Sequence, residues 1–342
     1  MPPASQPPDQ DARGTGRPDV AGTDGSDGTG TDGPDGAVVV VNYRTAALVE
    51  RCLESVRATA DGLKLETVVV DNASRDGSVE RLRAALGADV EVVEMDANRG
   101  FAAGVNAGFR RTRAALVIVL NPDTEVRQGA LRALLEQLRA HPRAGVVAPL
   151  LQDAEGRLAV NGYRRFPGLF TLALDLCIPL GYAFVHAPAL HPYAMSPAAL
   201  RAGRPPAWAS GAALAIRRDA YAQAGPFDEG FFLYFEETEW QQRIVGRGWA
   251  IELAPEARVC HLLRGGGEQS LVHSPHFVAS ALRYLRLRGV PVAISRAVLS
   301  ISLALSWTGL SLIACLPAKR AKATGQARAY RALLHVALTA RP

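Results

Sequence analysis

The chain is poor in the features that would place it in an oxidising or nucleic-acid-rich setting. Its four cysteines, Cys52, Cys177, Cys260 and Cys315, stand far apart and form no C-x-x-C pair. That spacing suggests neither a zinc knuckle nor a disulfide framework, and a reducing cytosol is the simplest compartment. No sign of charge dominates. A formal net charge of +5 and a pI near 9.2, with acidic residues spread through the body, call for no nucleic-acid partner. The G-x-G-x-x-G fingerprint of dinucleotide-binding proteins is also missing after the first strand-like run. Residues 1–36 lack the apolar core of a signal peptide and are built from Pro, Gly, Asp, Ser and Thr. Such a segment cannot bury enough surface to offset its chain entropy, and a disordered tail is expected there.

What remains is 342 residues, 48% of them hydrophobic, enough for one large domain or two halves sharing a core. From Ala37 the run "AVVVVNYR" reads as a central strand. "TAALVERCLESVRAT" puts Leu48, Val49, Cys52, Leu53 and Val56 on one helical face, with Thr45 placed to cap it. "ETVVVDNAS", "VEVVEM", "ALVIVLNPD" and "AGVVAPLL" read as further strands. Helices are expected through Val79, Leu82 and Leu86, over "FAAGVNAGFRRTR", and through Leu131, Leu134, Leu135 and Leu138. This alternation predicts an α/β fold with a mixed, mostly parallel sheet covered by helices. Ligands of such sheets sit beyond the carboxyl ends of the strands. Asn42, Asp71 and Asp123 fall at three of those ends, either as a site or as ordinary turn formers.

Four stretches could carry chemistry. "VVVDNASRDGS" offers a strand-end acid followed by backbone donors that can face an anion. "NRGFAAGVNAGF" carries glycines that permit close approach to a ligand or tight helix packing. "NPD" supplies one carboxylate where a divalent ion bridging a diphosphate needs oxygen ligands. "GPFDEGFFLYFEETEWQQRIVGRGW" sets Asp228, Glu229, Glu236, Glu237 and Glu239 among aromatics, surroundings that raise a carboxylate's pKa and suit a general base. A solvated acidic helix face is the alternative. His261, in "VCHLLRGGGEQS", is either a ligand or a structural hydrogen-bond donor.

Taken in order, Asp71, "NRGFAAGVNAGF", "LNPDT", "SGAALAIRR", "FDEGFFLYFEETEW" and "CH...GGG..S" resemble the GT-A fold glycosyltransferases of family 2, over about residues 37 to 275. The likeness is strongest to bacterial rhamnosyltransferases acting on polyprenyl-diphosphate-linked sugars. The resemblance implies that Asn42 and Asp71 hold the base and ribose of a dTDP- or UDP-linked sugar, with Asn98, Gly100 and Asn106 lining the donor site. Asp123 corresponds to the second acid of the DxD motif and would bind Mg2+ or Mn2+ together with His261. Trp208, Ser210 and Gly211, with Asp228 and Glu239 of the acidic stretch, fall on the substrate side. Glu237 stands where the family's Glu-Asp pair has its catalytic aspartate, with Glu236 beside it. Asn121 stands where DxD has its first acid. The implied reaction is an inverting, metal-dependent transfer of a sugar such as rhamnose to a lipid-linked or cell-envelope glycan. A sugar-phosphate nucleotidyltransferase should instead open with a G-x-G-T-R loop, which is absent. The non-enzymatic alternative is a degenerate member acting as a binding or scaffold subunit, motivated by the glutamate at 237.

The division expected is 37–150 for nucleotide-sugar binding, 151–275 for acceptor and catalysis, and 276–342 as a basic, apolar helical extension. Residues 297–316 carry no charge, and Arg286, Arg288 and Arg296 precede them while Lys319, Arg320 and Lys322 follow. The length permits a single transmembrane helix. Cations on both sides fit a helix lying in the interface, peripheral to the inner face of the plasma membrane. A cap over the catalytic domain or a homodimer contact is the remaining reading.

Overall fold

The computed structural model describes residues 33–177, 195–262, 274–316 and 320–340. The expected tail therefore lies outside the described residues up to position 32, and so does "GGG..S" at 265–270. The valine run forms β1 (Gly36–Asn42), all seven residues of which are buried. A strand apolar on both faces belongs in the middle of a covered sheet. It is followed by β2 (Leu65–Asp71), β3 (Val90–Glu94), β4 (Leu116–Leu120), β5 (Thr124–Val126), β6 (Ala144–Gln152), β7 (Tyr163–Arg164), β8 (Trp208–Ala209), β9 (Ala213–Arg217) and β10 (Ala250–His261). Eight of these make one sheet in the order β3-β2-β1-β4-β9-β6-β10-β5, and β7 pairs with β8 apart from it.

Parallel pairing joins β1 to β2 and β4, β2 to β3, and β6 to β10. β9 runs antiparallel between β4 and β6, and β5 runs antiparallel against β10. The two halves expected to divide at residue 150 thus share a single sheet, since β9 comes from the second and is inserted into the first. The link from β4 to β5 sets the curvature. Four strand spacings of a flat sheet measure about 19 Å, whereas the step from Leu120 to Thr124 spans at most about 14 Å. The sheet must curl until the end of β10 comes back over the end of β4.

The helices are α1 (Ala46–Ala58), α2 (Ser78–Leu86), α3 (Phe101–Arg111), α4 (Ala130–Ala140), α5 (Leu169–Leu176), α6 (Pro197–Arg201), α7 (Arg218–Ala224), α8 (Glu236–Gly246), α9 (Pro275–Leu287), α10 (Val292–Ile313) and α11 (Arg320–Thr339). The expected apolar faces of α1, α2 and α4 are buried, with Leu48 only half so. Thr45 occupies the N-cap position of α1 as expected, but its side chain makes no capping bond to the helix. Its hydroxyl and its N–H both donate to Asn42 Oδ1, at 2.9 and 3.1 Å. The glycines of α3 serve packing: a Cβ on Gly104 or Gly108 would lie 2.6 or 2.2 Å from a methyl of Val41 or Val39. The helix therefore rests directly on β1. The C-terminal extension is not a separate body. With α5 it builds a second apolar core from Leu172, Leu176, Tyr284, Leu299, Leu303 and Leu333, and this core takes in Phe231 and Phe235 of the acidic stretch.

Gly108→Ala is expected to destabilise the fold by about 1–3 kcal/mol from overpacking, less about 1 kcal/mol of helix propensity. Urea denaturation of Gly108→Ala, Val39→Ala and the double variant checks this. The double variant should be more stable than the two separate losses added together, because the new methyl fills the space that Val39 leaves.

Candidate active site

The carboxyl ends of β1 and β2 are in register, Asn42 opposite Asp71, and both side chains are fully buried. Asn42 Nδ2 donates to Asp71 Oδ1 at 2.6 Å and to Ser74 Oγ at 3.2 Å. Ser74 closes the network, its hydroxyl donating to Asp71 Oδ1 at 2.6 Å and its N–H to Oδ2 at 2.9 Å. In this arrangement the pair shapes the turn after β2. Asn72, at the start of that turn, donates to Gly100 O at 3.0 Å and accepts from Arg99 N–H at 3.0 Å. Asn98 Oδ1 accepts from Gly100 N–H at 3.0 Å. The "NRGF" loop is thereby tied to the end of β2. Gly100 has φ +86°, and a Cβ there would lie 2.1 Å from Phe232 O. No other residue fits, because the backbone of the acidic stretch occupies the space.

Asn106 departs from expectation. It does not line a donor pocket: its Nδ2 donates to Phe227 O and Glu229 Oε1, each at 2.9 Å. Its Oδ1 accepts from Tyr221 Oη at 2.8 Å and Phe227 N–H at 3.0 Å. All four positions are used, so Asn106 clamps α3 to the approach of the acidic stretch. Asp228 likewise faces protein. Arg283 of α9 grips it with contacts of 2.8 to 3.1 Å. Glu239 accepts from Arg243 Nε at 2.7 Å, one turn along α8. These are holding contacts around Glu236 and Glu237.

Those two residues open α8, after Tyr234 and Phe235, both at φ +69°. Left-handed backbone at two bulky residues is strained, and the strain persists only where neighbours over-determine it. Here Phe235 packs on Phe277 and Tyr284, and Ser280 Oγ donates to Leu233 O at 2.9 Å. Burial pushes the Glu237 carboxyl up from its ordinary value, opposed by hydrogen bonds from the backbone N–H groups of Glu237, Gly211 and Thr238. Burial first, and then the charge of Glu237, push Glu236 well above the usual carboxylate range. Glu236, Glu237 and Glu239 each keep a buried Oε2 with no hydrogen-bond partner among the described residues, and of the three Glu237 is the one that lies along Gly211. A carboxylate with a free oxygen and a raised proton affinity is equipped to accept a proton.

Gln241 fixes the segment facing it, donating to Ala209 O at 2.7 Å and accepting from Ala209 N–H at 2.8 Å. Trp208, Ser210 and Gly211 are thus held against α8, with Trp208 Nε1 donating to Arg165 O at 3.1 Å. A Cβ on Gly211 would lie 3.4 Å from Glu237 Cγ and 3.6 Å from the Phe101 ring, so the "NRGF" loop, Gly211 and Glu237 converge. The next residue reaches the "NPD" turn, as Ala212 O accepts from Asn121 N–H at 2.8 Å.

At that turn the curl of the sheet brings His261, the last residue of β10, to Asp123, with Nε2 and Oδ1 3.2 Å apart and both side chains less than one-fifth exposed. Two adjacent ligands of an octahedral cation at about 2.1 Å stand about 3 Å apart. The pair therefore fits a divalent ion. Among the described residues no cluster of three or more His, Cys, Asp and Glu gathers at one point, so the remaining ligands would be water and substrate oxygens, as hard cations at phosphate sites commonly have. Ser74, Tyr221, Gln241 and Arg283 escaped the reading of the sequence. Ser74 had a signal, a serine three residues past a strand-end acid, but the other three had no local signal.

The pattern of glycosyl transferase family 2 matches residues 37–186. An N-acetylglucosaminyl-diphospho-decaprenol L-rhamnosyltransferase of Mycobacterium tuberculosis is 31% identical over 240 residues, covering 66% of this chain and 75% of the relative. A low-salt glycan biosynthesis hexosyltransferase of Haloferax volcanii is 26% identical over 211 residues, 60% of each chain. Among solved structures, a mannosyltransferase of Pyrobaculum calidifontis in complex with GDP-Man and Mn2+ superposes with a TM-score of 0.51 at 20% identity, over 90% of this chain and 87% of that one. GalNAc-T7 with UDP, GalNAc and Mn2+ superposes with a TM-score of 0.55 at 17% identity, over 75% of this chain and 48% of that one. At these identities the superpositions establish the GT-A fold.

Asn106→Ala is expected to cost about 3 kcal/mol, because the buried N–H and C=O of Phe227 lose their partners. Denaturant unfolding measures it. A loss under 1 kcal/mol would remove the clamp.

Proposed function

The chain belongs to glycosyl transferase family 2, and on that premise we propose that it transfers rhamnose, with inversion, from a dTDP-linked donor to a lipid-linked glycan acceptor. The curated relative is named as a rhamnosyltransferase acting on a decaprenol-diphosphate sugar, which supports both the sugar and the acceptor class. The observation that carries the reading is Glu237, a buried carboxylate with one unpartnered oxygen beside Gly211 and Phe101.

Glu237 Oε2 takes the proton of the acceptor hydroxyl. The hydroxyl oxygen then bonds to the anomeric carbon from the face opposite the leaving group. The carbon–oxygen bond to the diphosphate breaks, and its electron pair departs with the nucleoside diphosphate. A divalent ion held by Asp123 and His261 would stabilise the charge that grows on that leaving group. Gly211 N–H and the first N–H groups of α8 hold Glu237 in place and limit how far burial raises its proton affinity. The longer arm of glutamate, compared with aspartate, lies along Gly211, where no side chain competes for the space. Gly100 admits the backbone of Phe232 at the same point, closing the donor loop against the acidic stretch.

Glu237→Gln should bind donor nearly as wild type and lower transfer roughly 10²-fold or more, the scale of general-base catalysis. Transfer at the wild-type rate would reject Glu237 as the base. The sign of the pH effect follows from the raised proton affinity. The fold's preference for neutral Glu237 contributes stability fully below the ordinary value of 4.5 and loses it as pH rises through the folded value. The melting-temperature advantage of Glu237→Gln over wild type should therefore grow from acid to neutral pH, and transfer should fall on an acid limb lying above the ordinary glutamate range.

Asp123→Ala and His261→Ala should each weaken the thermal stabilisation that dTDP-rhamnose with Mn2+ gives, and change little the stabilisation by donor alone. Screening dTDP-, UDP- and GDP-sugars in the same assay tests the donor. Greater stabilisation by a UDP- or GDP-sugar would replace the assignment, and wild-type stabilisation indifferent to Mn2+ or Mg2+ would remove the metal role.

A further inference from the structure

α10 is apolar on its exposed side as well as on its buried one. Its buried residues are Ser295, Leu299, Ser302, Leu303, Ser306 and Leu310, so three serines point into the second apolar core. Ser306 Oγ donates to Leu176 O at 2.9 Å, and Ser295 Oγ is buried with no partner among the described residues. Meanwhile Ile294, Ile301, Leu305 and Leu312 are 51%, 60%, 54% and 73% exposed. At about 100° per residue these four fall within about 40° of one another, a single outward stripe. Ala293, Ala297, Thr308 and Leu316 are exposed as well. Ser311 is exposed beside them, but a helix facing water would not carry four large aliphatic side chains along its outer stripe while burying three serines.

Charge is segregated in the same direction. The 74 residues from Gln269 onward hold ten Lys or Arg and no Asp or Glu, which leaves the preceding residues at net −5 within a chain of net +5. Exposed Arg286 and Arg288 immediately precede α10, and Arg328 and Arg331 are exposed on α11. An apolar stripe on a segment whose only charged residues are cations complements a leaflet bearing anionic headgroups.

The helix is 22 residues long and apolar enough to cross a bilayer. Crossing, however, would strip Leu299, Leu303 and Leu310 from their core and break the contacts of Arg296 with the carbonyls of Ala337, Leu338 and Ala340 at the end of α11. We propose that the stripe of Ile294, Ile301, Leu305 and Leu312 docks the protein in the plane of an anionic lipid leaflet, α10 staying packed on α5, α9 and α11. The proposal deepens the function proposed above and rests on it for one point only, the lipid-linked acceptor. α9 belongs to this helical layer and also grips the loop before Glu237 through Arg283 and Ser280. The helix that meets the lipid thus packs on the one that holds the loop before Glu237.

The test is sedimentation of the full chain with vesicles of phosphatidylcholine alone and of phosphatidylcholine with phosphatidylglycerol, without donor or acceptor. Wild type should bind the anionic vesicles, less at high salt. Ile301→Ser with Leu305→Ser should lower the bound fraction roughly tenfold or more with an unchanged melting temperature, since both residues are already exposed. Val245→Ser, exposed on α8, is the control and should bind as wild type. Failure of wild type to bind either vesicle overturns the dock, as does resistance to alkaline carbonate extraction, the mark of a spanning helix. If the double substitution turns a dimer into a monomer and leaves vesicle binding intact, the stripe is a contact between copies and the proposal also falls. A failed dock with intact transfer to a water-soluble acceptor analogue leaves the proposed reaction standing, whereas vesicle binding without any transfer separates the two in the other direction.

Discussion

Placing two adjacent glutamates at the buried start of one helix is the constraint on which the arrangement around the site depends. Each carboxyl resists ionising out of water, and once Glu237 is charged its neighbour resists further. Helix-start N–H groups and Gly211 offset part of that cost, but only if the backbone enters α8 through the left-handed Tyr234 and Phe235. Such a turn does not hold itself. Asn106, Arg283, Ser280 and the ring cluster around Phe235 all act on the loop from Phe227 to Phe235. Their common effect is to keep an unfavourable pair of carboxyls in one geometry, as proton transfer requires of a positioned base.

Curvature makes the second contribution. A link of three residues between β4 and β5 is too short for a flat eight-stranded sheet, so the far edge returns and sets His261 against Asp123. Ala212 joins this corner to the acidic helix through Asn121. The Asp123–His261 pair and Glu237 are therefore positioned by one stretch, residues 208–212, at the seam where β9 enters the sheet between strands of the first half.

The strands and their polar ends were legible because β-branched runs of five to seven residues admit few other conformations. Asn42, Asp71 and Asp123 stand where the alternation put them. Asn98 and Gly100 were legible as a close-approach loop, although what approaches Gly100 is the carbonyl of Phe232 and not a ligand alone. Asn106 and Asp228 turn their polar groups to the protein, while Glu239 spends one oxygen on Arg243 and keeps Oε2 unpartnered. A polar residue near a site can serve the ligand or hold the scaffold, and its type is the same in both cases. Their partners Tyr221 and Arg283 lie 115 and 55 residues away in the chain, and Arg243 lies one helical turn from Glu239.

Periodicity and the spacing of acids along the chain by themselves determined an α/β sheet, polar side chains at its strand ends, an acidic helix start and a basic, apolar C-terminus. These are properties of neighbouring residues, and local sterics and burial settle them. Tertiary structure alone decided that β9 reverses direction inside the sheet, that His261 meets Asp123, that α9 grips the loop before Glu237 and that α10 buries Ser295, Ser302 and Ser306. Each of those depends on contacts between segments tens to hundreds of residues apart. Their free energy comes from the cores that close around them, which no local pattern records.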